Sequence, residues 1–90
     1  MWQIISMTDS LHELIAELRR EAALSQTAVA TSLGVQQSAV SLWENSGLPA
    51  TRNLAGFLNL VGATPEQRAK AWELHAFADA ARKNAGQEAA

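Results

Sequence analysis

Residues 24–44 read LSQTAVATSLGVQQSAVSLWE, and their pattern decides the fold. Ser25 is a good helix N-cap, Val29, Ala30 and Leu33 follow at helical spacing, and Gly34 stands where a left-handed residue closes a helix. A second helical pattern resumes from about Gln36 to Glu44. At about 100° per residue, Val40, Trp43 and Glu44 fall on one side of that helix, with Gln36 at its edge. Ser38, Ser41, Leu42 and Asn45 fall on the opposite side, and Gln37 lies between. The stretch predicts two short helices joined by a tight turn, the second buried through its apolar pair and turning small polar groups outward.

The flanking sequence supplies support for that unit. Upstream, Ser10 and Glu13 fit a capping box, and Leu11, Leu14, Ile15 and Leu18 mark one face of an amphipathic helix over about residues 10–22. Glu13, Glu17, Arg20 and Glu21 decorate its other side. Downstream, Asn45-Ser46-Gly47-Leu48-Pro49 is a breaker cluster and reads as a loop. Thr51 is placed to cap a fourth helix, buried through Leu54, Phe57, Leu58 and Val61 and closed by Gly62. Thr64-Pro65-Glu66-Gln67 is a second capping box with proline at the first helical position. The fifth helix continues to about Asn84, and residues 85–90 read as a flexible tail. The expected fold is all-α, with five helices.

That fifth helix shows two apolar stripes: Ala69, Trp72, Ala76 and Ala80, and then Leu74, Phe77 and Ala81. One is enough to close the core. The other either buries as well, against the domain and an N-terminal arm, or forms a two-fold interface with a second subunit. Residues 1–7 hold Trp2, Ile4, Ile5 and Met7. They read as a loosely packed arm, as leader residues ahead of a start at Met7, or as an extended apolar segment that pairs with another copy of itself. Dimer candidates are therefore Trp2, Ile4, Trp72, Leu74 and Phe77.

With 90 residues, the chain has room for one small core. It has no cysteine, which removes disulfides and thiolate metal sites. No apolar run approaches the roughly 20 residues of a membrane span, and the first seven residues lack the basic flank of a secretion signal, so a cytoplasmic protein without a membrane partner is expected. His12 and His75 sit on separate helices with no partner spaced for a metal, and each reads as surface or partly buried. There is no glycine-rich phosphate loop or nucleophile elbow, so no enzyme, no catalytic residues, no metal and no cofactor are expected.

The outward face of the third helix is chemically unusual. A bare helical surface ordinarily carries Lys and Glu, whereas this one carries Gln37, Ser38, Ser41 and Leu42. Short uncharged groups approach a base edge closely: Gln bonds adenine bidentately, Ser bonds several bases, and Leu covers a thymine methyl. The same face is also tolerable as a merely solvated one, and spacing decides between them. Arg19, Leu24-Ser25-Gln26, Ala30, Leu33-Gly34-Val35, and Val40-Ser41 with Glu44 resemble the pattern of the lambda-repressor and Cro class, the XRE-type helix-turn-helix proteins, over residues 11–62.

The resemblance implies a sequence-specific regulator that binds double-stranded DNA as a homodimer. It divides the chain into an arm (1–9), a DNA-binding domain of helices 1–4 (10–62), a C-terminal helix for packing and dimerisation (63–84) and a tail (85–90). It implies base contacts from Gln37, Ser38, Ser41 and Leu42, joined by Gln36 where a weak cap frees that side chain, and phosphate contacts from Gln26, Thr27, Asn45 and Arg52. A helix N-terminus, as at Gln26 and Arg52, offers free donors to an anion. Arg19 and Glu44 match a pair that forms an internal salt bridge, which leaves Arg20 as the outward cation of helix 1.

The chain departs from that pattern in two ways. Gln36 replaces the usual Ser or Thr N-cap, and no lysine or arginine occurs between Ala22 and Ala50. Net charge is −2, where nucleic-acid-binding domains are usually basic. With roughly two to three phosphates neutralised per subunit, a dimer's salt slope is expected at about −4 to −5, shallow for a repressor. Three functions are expected to compete: a phage or bacterial repressor on a pseudo-palindromic operator, an antitoxin that binds its operator and a toxin, and a helix-turn-helix-derived interaction module with a protein partner such as a toxin or antirepressor.

Overall fold

Among the described residues every regular element is a helix: α1 (Leu11–Glu21), α2 (Gln26–Leu33), α3 (Gln37–Trp43), α4 (Thr51–Val61) and α5 (Pro65–Ala89). The structure, a computed structural model, describes residues 10–89, with side chains through Arg82. The candidates Trp2 and Ile4 lie outside the described residues.

Local chemistry fixes most of the helix ends. The Ser10 hydroxyl accepts from the backbone N–H groups of His12 and Glu13 and opens α1, as Ser25 does from Ala28 for α2. At α5 the capping box is complete: the Gln67 N–H donates to the Thr64 hydroxyl at 3.1 Å, and the Thr64 N–H donates to the Gln67 side-chain oxygen at 2.9 Å. Gly34 closes α2 with φ +71°. The Val35 and Gly34 N–H groups reach back to the carbonyls of Ala30 and Thr31 there, the double bond of a Schellman turn. The same turn ends α1, but with Ala23 at φ +60° and with Leu24 and Ala23 donating to Arg19 and Arg20. Sequence gives no sign of that turn, because alanine is a poor left-handed residue.

The core gathers Leu11, Leu14, Ile15 and Leu18 of α1 with Val29 and Ala30 of α2, Val40 and Trp43 of α3, and Leu54, Phe57 and Leu58 of α4. α2 packs against α3 and α4, while α1 packs against α4 and α5. α4 thus packs on both α2 and α1, with α3 against α2 and α5 against α1.

Four expectations are corrected. Thr51 is the first residue of α4 rather than its cap; Ala50 stands at the N-cap and offers no side-chain bond. The last helix runs to Ala89, past Asn84 and through most of the stretch read as a tail. Its inward face is not either predicted stripe. Ala71 and His75 are buried with Leu74 and Ala78 half-buried beside them, while Ala69, Ala76, Ala80 and Phe77 face solvent. The spacing 71, 74, 75, 78 is one helical face, hidden in the sequence because a histidine occupies its centre. His75 is itself the fourth correction: it is 9% exposed, because its ring finds a hydrogen-bond partner inside.

Candidate nucleic-acid interface

The face of α3 is built from behind. Val40 and Trp43 are buried to 0% and 5% exposure, which turns Gln37, Ser38 and Leu42 to solvent with Gln36 ahead of them and Asn45 behind. Ser41 is half-buried. Gln36 is the α3 N-cap in an extended conformation and makes no side-chain cap bond. Leu42 is 53% exposed and lies over Gly47, where an added methyl would stand 2.7 Å from its Cγ.

A chain of polar groups connects this face to the interior. Arg19 Nε donates to Glu44 Oε2 at 2.6 Å and Arg19 Nη2 donates to Glu44 Oε1 at 3.1 Å. Arg19 Nη1 also holds the Leu24 carbonyl at 2.9 Å, just before the α2 N-cap. Glu44 Oε1 takes a third bond, from Gln26 Nε2 at 3.0 Å. Gln26 Oε1 then accepts from Gln37 Nε2 at 2.6 Å. The two charged side chains are 15% and 8% exposed. Burial pushes the Glu44 carboxyl up, but the bonds from Arg19 and Gln26 and the nearby charges of Arg19 and Arg20 outweigh it and hold the group below its ordinary value. The hydrogen bond to Glu44, against the opposing effect of burial, raises Arg19 in turn.

Polarity runs one way along this relay. An ionised carboxylate is acceptor-only, so Gln26 must turn its NH₂ toward Glu44 and its oxygen toward Gln37. Gln37 must then turn its NH₂ inward. One N–H and the Oε1 of Gln37 remain outward, with no partner among the described residues. A donor beside an acceptor matches the major-groove edge of adenine, which offers N7 and N6–H₂.

The remaining site residues are placed as follows. Gln26 opens α2 with its side chain engaged by Glu44 and Gln37, and Thr27 is exposed beside it. Asn45 donates one amide N–H to the Ser41 carbonyl at 2.7 Å, which caps α3 and leaves its second N–H and its oxygen. Arg52 is exposed on the first turn of α4, where no side chain caps the helix. Arg20 is exposed, and its charge contributes to holding Glu44 below its ordinary value. Of the dimer candidates, Trp72 and Leu74 are half-buried against the core and Phe77 is 77% exposed. Sequence reasoning missed the two bonds of Gln26 and the inward role of both histidines. None has a sequence signal, since each joins groups distant in the chain.

No group of His, Cys, Asp and Glu among the described residues is placed to hold a metal ion, and no helix there is long and apolar enough to cross a membrane. A family model described as a helix-turn-helix domain matches residues 11–72. No curated protein and no solved structure matches the chain.

Proposed function

The chain belongs to the helix-turn-helix domain family, and from that membership we propose that it is a sequence-specific regulator of transcription, a cytoplasmic repressor of phage or bacterial kind that binds a pseudo-palindromic operator as a homodimer. The observation that carries this reading is the outward amide of Gln37, oriented by Gln26 and Glu44 before any ligand arrives. A side chain already held in its bonding orientation loses little entropy on binding. Ser38, Ser41 and Leu42 continue the reading face, with Gln36 at its edge. Arg52 and the uncapped opening of α4, with Thr27 and the N-terminus of α2, take phosphates. Gln26 contributes through the N–H it has left.

Two subunits are needed because one offers so little charge: Arg20 and Arg52 are the cations near this face. In a dimer, half-sites about 34–36 Å apart meet two α3 helices on one side of the duplex. Phe77 of α5 is the apolar side chain that a second subunit would cover.

The test begins with duplexes selected by the protein from a random pool. Gln37→Ala is expected to lose about 1–3 kcal/mol on the selected duplex and nothing on unrelated DNA, while Arg52→Ala weakens both alike. Retention of full preference by Gln37→Ala would show that α3 is not the reader. A second reading, an antitoxin or other protein-binding module, is favoured by the absence of lysine and arginine from 22–50 and by exposed Phe77. Failure to enrich any duplex, with a monomer in sedimentation, would select the protein-binding module, whereas an antitoxin would still enrich its operator.

A further inference from the structure

Two histidines from outside the α2–α3 pair grip the chain where it leaves the reading helix. His12, on α1, lies 2.9 Å through Nδ1 from the Trp43 carbonyl, in the last turn of α3. His75, on α5, lies 2.8 Å through Nε2 from the Pro49 carbonyl, just before α4. A carbonyl only accepts, so each of these ring nitrogens carries a proton and donates. The His75 ring is held edge-on to Trp72, with centroids 5.7 Å apart, and Pro49 is itself buried.

Each bond fills a need that local structure leaves open. The last carbonyls of a helix have no partner within it. In α3, Val40 accepts from Glu44, Ser41 from the Asn45 side chain, and Leu42 from three successive N–H groups. The Trp43 carbonyl comes next and is the one His12 takes. At the other end, α4 starts at Thr51 behind an N-cap, Ala50, that offers no side-chain bond, and buried Pro49 and Leu54 flank that entry. Arg52 lies three residues past Pro49. His75 also lies beyond residue 72, where the family match ends.

We infer that His12 and His75 are positioning residues for duplex binding: they fix the two ends of the 44–50 connection, and so set where Arg52 and the opening of α4 stand relative to the reading face of α3. This rests on the DNA-binding reading. Without the two bonds, α3 would still present Gln37, but the phosphate contacts of α4 would lose their register with it.

The test uses four variants of the full chain. His75→Leu and His12→Leu remove the donor. His75→Gln and His12→Asn put an amide N–H near the lost Nε2 and Nδ1 positions. Each is studied at a temperature where circular dichroism shows it folded, with the duplex that the wild type selects from a random pool. The leucine variants are expected to bind it at least ~10-fold more weakly, with a salt slope shallower by about 2 for the two Arg52 contacts of a dimer. The amide variants are expected to restore both. Amide exchange from residues 44–54 should quicken several-fold in the leucine variants, and that of α2 should not.

Leucine variants with wild-type slope and exchange overturn the proposal, as do amide variants that behave like leucine. If His75→Leu does not fold, the half-buried His12 pair carries the same comparison. A wild type that selects no duplex sinks the DNA-binding reading alone, and the clasp then stands or falls on exchange.

Discussion

Replacing Glu44 with glutamine tests the relay at its source. The carboxylate accepts three bonds, two from Arg19 and one from Gln26. A carboxamide has one oxygen and one NH₂, and both neighbours are donors. The charged guanidinium takes the oxygen, so the NH₂ faces Gln26. Losing one partner of a buried ion pair costs about 3–5 kcal/mol. Arg19 keeps its bond to the Leu24 carbonyl and is 15% exposed, so a loss of about 2–4 kcal/mol is expected, on the scale of one charge-assisted hydrogen bond or slightly more. Urea unfolding followed by the fluorescence of buried Trp43 measures it. The relay makes a second demand. Gln26 must flip to meet the new NH₂, and Gln37 must flip in turn, which leaves two N–H groups outward instead of a donor and an acceptor. Guanine offers two acceptors there, so selection with Glu44→Gln should shift the base opposite Gln37 from adenine toward guanine. A loss below about 1 kcal/mol, or an unchanged base preference in a folded variant, would refute the relay.

The same pair sets an acid limit. The folded Glu44 carboxyl titrates below its ordinary 4.5, so its contribution is complete above that value and is lost as pH falls through the lower folded one; Glu44→Gln should flatten the acid limb of stability against pH. Ala23→Gly should stabilise the protein by about 0.5–1 kcal/mol in urea unfolding, because alanine at φ +60° bears a left-handed penalty of roughly 1–2 kcal/mol that glycine's greater unfolded-state entropy only partly offsets. Ala23→Val should destabilise it instead. Gly47→Ala would place a methyl 2.7 Å from Leu42 Cγ and force that exposed side chain aside. The expected stability cost is about 0.5–1.5 kcal/mol, together with a changed preference at the base nearest Leu42 and none at the base opposite Gln37.

The apolar spacing of α1 to α4 was legible in the chain because a helix face is a local periodicity, and the cores at Leu11–Leu18, Val40–Trp43 and Leu54–Leu58 stand where that spacing puts them. The turn at Gly34 was legible because glycine announces a left-handed residue; the equivalent turn at Ala23 was not, because alanine announces nothing. α5 misled for a related reason. Alanine is common on both its faces, and its buried centre is a polar ring.

What the sequence by itself determined is therefore the set of helices, their caps at Ser10, Ser25 and Thr64, and a third helix with Gln37, Ser38 and Leu42 turned outward. These follow from neighbours three or four residues apart. Tertiary structure alone decided which way those groups are primed. The resemblance already paired Arg19 with Glu44, but Gln26 reaches Glu44 across 18 residues, Gln37 reaches Gln26 across 11, and the two histidines reach carbonyls 31 and 26 residues away. Hydrogen bonds depend on distance and direction in space, which no local pattern encodes. Periodicity chose the face, and the folded chain set its polarity.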